Sequence, residues 1–517
     1  MTTASLPLPT VKAFTQPAGD MDAQSFLHFG HQVVEWMARY REQKDRFPVL
    51  AQTVPGTLHR ALPTQPPQQP NSMESILADV DRLIMPGITH WNAPGFMAYF
   101  GISGSGPAIL GEMLSSALNV NAMLWQTSLA ATELEQVTLN WLRQMLGLPA
   151  CFFGVMLDSS SGGGAITALA AAREAIPDLH IRERGMAGRP ELPPLRFYAS
   201  QEAHSSIEKA GIILGIGQAG LRKIGVDSAF RMDVTELERA IQEDIAEGFR
   251  PFAVVATVGT TSATSVDPVA LIADVCERYG LWLYVDAAYG GAAAVVPEMR
   301  WILAGCECAH SLSLNPYKWL FTTLGGSVLF TSQPEQDKAA FSLVPEYLRT
   351  PQQDEQENVI NFMNYGAALS HRFLALKLWM TLRYFGQEGL ATRIREHMRL
   401  AQSLAQWIDT SSDFERLAPT PFSVVCFRAH PKDLVDEERL EALNKGLMHC
   451  LNAGGRFFLS HTRLNGMYTI RIAIGNLGST EQLIQSLWTE LQATPEAVSN
   501  QMKMLQILAR QRMLGAE

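Results

Sequence analysis

The chain has 517 residues, 47% of them hydrophobic and 18% charged, which is too long for one ordinary core and calls for two or three domains. Its 41 basic and 51 acidic side chains leave a net charge of −10 with neither sign gathered into a long block, which argues against a nucleic-acid partner. No apolar run approaches the roughly 20 residues of a spanning helix, and the opening MTTASLPLPTVKAF lacks a basic segment followed by an apolar stretch, so a cytoplasmic protein with no membrane partner is expected.

Along the first ninety or so residues, Phe26, Phe29, Val33, Trp36 and Met37 recur at helical spacing. The stretch ALPTQPPQQPNS, residues 61–72, cannot continue a helix, and Asn71 and Ser72 then open a second one through SILADVDRLI. Residues 1–105 are therefore expected to be a helical segment with too little core of its own, packed on a partner subunit. Across residues 106–390 short β-branched runs alternate with helices, the pattern of a mostly parallel sheet covered on both faces. The clearest unit is FAVVATV, a helix, then LWLYV: Asp267 and Pro268 are expected to cap and start that helix, Ile272, Val275, Cys276 and Tyr279 to line one face, and Gly280 to end it. Residues 391–517 read as a small α+β domain, with TRIREHMRLAQSLAQWI as a helix, SVVCFRA and YTIRIAIGN as strands, and a helix in the tail NQMKMLQILARQRMLGAE.

In open α/β sheets ligands collect beyond the carboxyl ends of the strands. FAVVATV ends in Gly259, Thr260 and Thr261, and LWLYV in Asp286, Ala287 and Ala288, so a hydroxyl and a carboxylate face one crevice; taken alone, Asp286 would equally cap a turn. Lys318 lies between Tyr317 and Trp319, where burial would lower its pKa and make its amine a carbonyl nucleophile; an isolated lysine more commonly snorkels to water. Asp158 through Gly164 lead into an alanine-rich helix whose free N–H groups and serine hydroxyls would bind phosphate, although a flexible connection has the same composition. His204, after the strand LRFYAS, would stack on a flat ring or simply be a satisfied polar residue. The six cysteines, Cys151, Cys276, Cys306, Cys308, Cys426 and Cys450, are too scattered for a disulfide framework, and Cys306, Cys308 and His310 make at most half a metal site, so no metal is expected.

A phosphate cradle, a stacking histidine, a carboxylate and a reactive lysine are together what pyridoxal 5'-phosphate requires. Their order resembles the group II pyridoxal-phosphate-dependent decarboxylases, most closely the aromatic-L-amino-acid decarboxylases. The resemblance runs through HWNAPGFMAYF, TSLAATELEQV, QEAHSSIEKAG, ATVGTTSATSVD, LWLYVDAAYGG, LNPYKWL and RFLALKLW. It implies a fold-type I enzyme and a homodimer acting on a small-molecule amino acid. It also implies that Lys318 holds the cofactor as a Schiff base, that Asp286 pairs with its ring nitrogen, that His204 stacks on the ring, that Thr261 and Ala288 contact it, and that Ser160, Ser161 and Asn315 bind phosphate. Trp91, Phe96, Tyr99 and Phe100 offer aromatic surface for the substrate or for plain packing, and Asn121 and Met123 stand where the family is apolar or aromatic.

Two positions depart from the family. Tyr317 replaces the usual histidine before the lysine, and counting back from RFLALKLW puts Phe362 where a mobile loop usually carries a proton-donating tyrosine. A phenyl ring cannot donate a proton. Three functions follow: decarboxylation to an amine, with Tyr317, Tyr365 or water as donor; oxidative decarboxylation to an aldehyde; or a cofactor-binding interaction protein without catalysis. The joint presence of Lys318, Asp286 and His204 speaks against the last.

Overall fold

The computed structural model describes residues 19–158, 162–343 and 359–495; the tail helix expected past residue 495, and Ser160 and Ser161, lie outside the described residues. The chain divides into two compact units, residues 1–47 with 51–88, and residues 48–50 with 89–517.

In the first unit the helix Ala23–Glu42 starts where the Asp22 carboxylate accepts the N–H groups of Gln24 and Ser25, at 2.9 and 3.0 Å. Ser72 caps the helix Met73–Asp79 in the same way, through Ser75 N–H, as its sequence position suggests. Trp36 donates its indole N–H to Asp81 at 2.7 Å, and its ring stacks on Tyr40 at 5.5 Å. None of the residues in the Ala23–Glu42 helix is buried, and Phe26, Leu27 and Val34 are exposed.

The second unit begins earlier than the expected boundary at residue 105, and the reason is local pairing. Phe96 forms a parallel bridge with Phe458, Met97 N–H donates to Phe458 and Ala473 N–H donates to Met97, so residues 96–97 run alongside the C-terminal strands. Its main sheet contains β1 (Phe153–Leu157), β2 (Leu195–Ser200), β3 (Leu221–Ile224), β4 (Arg250–Thr257), β5 (Trp282–Asp286), β6 (Ser311–Leu314) and β7 (Ser327–Thr331), in the order β1-β7-β6-β5-β4-β2-β3. β7 is antiparallel to both its neighbours and the other pairings are parallel, so the α/β, mostly parallel expectation holds. All five residues of β5 are buried, as a strand covered on both faces requires.

A smaller antiparallel sheet follows, with β8 (Phe414–Arg416), β9 (Val424–Ala429), β10 (Ser460–Leu464) and β11 (Met467–Ala473) in the order β10-β11-β9-β8. The helical stretch Ala375–Thr410 is interrupted at Gly386, whose φ of +63° and ψ of 172° are not helical, so one helix ends there and a second continues in a new direction. Beyond that break Leu400, Leu404 and Ile408 pack with Phe427 and Ile470 in the core of the small sheet.

Asp267 is not a cap. The crossover helix starts at Val269, and the buried Asp267 carboxylate instead accepts the N–H groups of Thr257 and Met232, each at 2.8 Å. Burial pushes its pKa up to about 7 against those two hydrogen bonds. It therefore braces the last residue of β4, the strand that delivers Thr261. Gly280 ends the helix in the left-handed region, as expected.

Candidate active site

Parallel register sets three strand ends abreast, with Thr257 opposite Asp286 and Asp286 opposite Ser313. Past these ends the backbone stays paired: Val258 N–H donates to Asp286, Ala287 N–H to Ser313 and Asn315 N–H to Ala288. The turn after β4 closes on itself, with Thr260 and Gly259 N–H both donating to Ser265 and the Thr260 hydroxyl accepting from Ser265 N–H. Gly290 makes this closeness possible, because a Cβ there would stand 2.5 Å from the Val258 carbonyl oxygen.

Lys318 is placed by the residue after it. Trp319 is fully buried, stacks on Tyr289 at 4.8 Å and donates its indole N–H to His397 Nδ1 at 3.0 Å. His397 Nε2 lies 2.9 Å from the carbonyl of Asn476, and burial holds its pKa down to about 4, so a neutral ring accepts at Nδ1 and donates at Nε2. Tyr289 also stacks on Phe100 at 4.0 Å, and the Lys318 amine lies 4.9 Å from the centre of the Phe100 ring. Burial lowers the Lys318 pKa to about 8; the Asp286 charge opposes that fall and the Arg471 charge adds to it. A lysine so placed carries a substantial neutral, nucleophilic fraction near neutral pH.

His204 caps the helix Ser205–Ile213: its Nδ1 accepts Ser206 N–H at 3.2 Å and lies 2.8 Å from the Ser206 hydroxyl. Burial, followed by the charge of Lys318, lowers its pKa, so it is a neutral ring fixed in orientation. Trp91, Tyr99, Phe100, His204, Thr261 and Lys318 share a cavity of about 370 Å³. Asp286 and Ala288 belong to the same strand end, where Ala288 N–H donates to the Asp286 carboxylate at 3.1 Å.

Two residues expected in the pocket are not among the described residues that line it. Met123 accepts an N–H bond from Met363 through its backbone and packs with Leu124. Phe362 is 2% exposed, lies in a short 3₁₀ turn and stacks on His371 at 4.9 Å. It packs in the core with Leu157 and Tyr365 and is not among the described residues that line the Lys318 cavity. The cause is the pairing of residues 121–125 with 361–372, seen in the Asn121–Arg372 bridge and the Trp125 N–H donated to Asn361.

One residue escaped the sequence reading. Arg471 sits in β11, buried, with its guanidinium 4.6 Å from the Phe100 ring centre; it donates to the backbone carbonyls of Tyr99 and Ser262 and leaves Nη2 without a hydrogen-bond partner among the described residues. The available signal was a single arginine inside the β-branched run YTIRIAI. It lines the same cavity as Lys318.

These residues fit pyridoxal phosphate. Asn315 has a buried amide oxygen without a partner among the described residues, and its NH₂ meets the Tyr317 hydroxyl at 3.1 Å. That hydroxyl can donate or accept, so the amide can turn over and present N–H donors to an anionic group. Gly164, near the start of the helix Gly162–Glu174, lies so close to Ser313 that a Cβ would come within 2.8 Å, bringing that helix's first turn up to the end of β6.

Comparison with known proteins agrees with this chemistry. The family model for the pyridoxal-dependent decarboxylase conserved domain matches residues 55–430. Tyrosine decarboxylase of Papaver somniferum is 37% identical over 92% of this chain and 96% of that protein, and phenylacetaldehyde synthase of Arabidopsis thaliana is 36% identical over 91% and 96%. The crystal structure of Oryza sativa TDC with PLP and tryptamine superimposes with a TM-score of 0.88 and 33% identity, covering 94% of this chain and 99% of that one.

The charges around Lys318 make its titration testable. The rate at which cofactor-free protein takes up pyridoxal phosphate should rise with pH through a midpoint near 8, because only the neutral amine reacts. Arg471→Gln should move that midpoint upward and Asp286→Asn downward; shifts in the opposite directions would refute this account of the amine.

Proposed function

The chain belongs to the pyridoxal-dependent decarboxylase family, and from that premise we propose that it decarboxylates an aromatic L-amino acid to the corresponding amine and carbon dioxide. The observation that carries this reading is a lysine with a depressed pKa beside Asp286, in a cavity walled by aromatic rings. Trp91 stacks on Phe96 at 4.2 Å and on Tyr99 at 5.7 Å, yet Trp91 and Tyr99 remain exposed toward the cavity, a flat apolar surface suited to an aromatic side chain.

Bound pyridoxal phosphate supplies the electron sink for the electron pair left when carbon dioxide departs. The chain's residues do the rest. Lys318 would hold the cofactor covalently through its amine, Asp286 would pair with its ring nitrogen, and His204 would stack on the ring. Thr261 and Ala288 would contact the ring, and Ser160, Ser161 and Asn315 would bind the phosphate. Arg471, with its Nη2 unpartnered among the described residues, would orient the substrate carboxylate. Tyr317, Tyr99 and the Lys318 amine line the cavity and would be placed to return a proton to the substrate carbon.

The second reading is aldehyde formation with oxygen, favoured by the similarity to phenylacetaldehyde synthase. Incubating the holoenzyme with a panel of aromatic amino acids under air and under nitrogen separates the two. We expect amine in step with carbon dioxide and independent of oxygen; aldehyde and hydrogen peroxide that vanish under nitrogen would establish the other activity.

A homodimer in the cytoplasm completes the proposal. Leu110, Met113, Leu114 and Leu118 form an exposed apolar stripe on the helix Gly106–Leu118, and all six cysteines are free, in keeping with a reducing compartment. Among the described residues no helix is long and apolar enough to cross a membrane. Leu114→Glu with Leu118→Glu is expected to halve the mass seen by sedimentation and to abolish turnover, whereas an active monomeric wild-type chain would remove the dimer from the account.

A further inference from the structure

A second lysine, outside the cavity, is deeply buried. Lys377, in the helix Ala375–Thr410, is 2% exposed, and its amine lies 2.8 Å from a Glu112 carboxylate oxygen. Helix packing drives it inward, since a Cβ on Gly111 would stand 2.6 Å from the Lys377 Cα. A buried ammonium of this kind needs its remaining donors used. One goes to the backbone carbonyl of Leu324, at 3.3 Å.

Glu112 is shared in turn. One oxygen accepts from the Thr323 hydroxyl at 3.3 Å, while the other accepts from Arg372 at 2.7 Å. The pair thus grips two consecutive residues, Thr323 by its side chain and Leu324 by its backbone. These residues follow Lys318 by one short turn and precede Gly325 and Gly326, whose φ values of +97° and +85° make the segment intrinsically permissive. Leu324, 63% exposed, is among the residues lining the cavity that holds Lys318, whereas Lys377 and Glu112 are not.

We propose that the Glu112–Lys377 ion pair is a positioning device that sets Leu324 as a wall of the substrate cavity, and so controls how tightly an aromatic amino acid is bound. The proposal rests on the decarboxylase reading. An ordinary structural ion pair would alter stability without distinguishing substrate binding from turnover; one that aims a cavity wall should raise KM while leaving kcat nearly intact.

The test is a double-mutant cycle on the holoenzyme. Lys377→Met and Leu324→Ala should each raise KM for the best aromatic substrate about tenfold with kcat changed less than about twofold, and the double variant should be little worse than either one. The visible absorbance of the lysine-bound cofactor should be unchanged throughout. Should Lys377→Met fail to fold, Glu112→Gln with Leu324→Ala completes the same cycle. Multiplying effects in the double variant, or single variants that lower the melting temperature without moving KM, would overturn the proposal. A wild-type chain that binds no cofactor or releases no carbon dioxide would instead overturn the decarboxylase reading.

Discussion

Desolvation of the Lys318 amine is the constraint on which the remaining site depends. Out of water an ammonium is unfavourable, and an amine that yields its proton near neutral pH is the reagent a carbonyl cofactor needs. Asp286 pulls toward the charged state and Arg471 pushes away from it, so the amine titrates near 8 between two fixed charges. Parallel strand ends supply the carboxylate, and the small antiparallel sheet supplies the guanidinium. The site is therefore a product of both sheets.

The aromatic stack is what turns that electrostatic arrangement into a fixed geometry. Phe100, Tyr289 and Trp319 lie ring on ring, and the stack ends in a hydrogen bond to His397 on the long helix. Lys318 precedes the last of these rings, so its backbone cannot drift without breaking the stack. Asp267 does the equivalent work for the neighbouring strand by holding Thr257 at the base of the threonine turn. Where the fold tolerates freedom, at Gly325 and Gly326, a buried ion pair takes over the task.

Much of this was legible in the sequence because the chemistry sits at strand ends. LWLYVDAA, ATVGTT and LNPYKW each combine a buried strand with a polar terminus, and those termini are the places where an open α/β sheet binds ligands. Long-range pairing was less legible. Phe362 was placed by counting along the chain, but its burial is decided by contacts with His371 and by the pairing of residues 121–125 with 361–372. Asp267 carries the local signature of a helix cap, yet two backbone donors from other segments claim its carboxylate. Arg471 is invisible for the same reason, since nothing within β11 says that Phe100 and Lys318 lie across from it.

Lys377 is buried and Lys318 half-buried, but only Lys318 faces the cavity and lacks a direct carboxylate partner among the described residues. Borohydride reduction of the cofactor-loaded protein, followed by peptide mapping, distinguishes them directly. The account requires the reduced cofactor on Lys318 alone. Recovery of the label on Lys377 or any other lysine, or failure to trap any label, would contradict it.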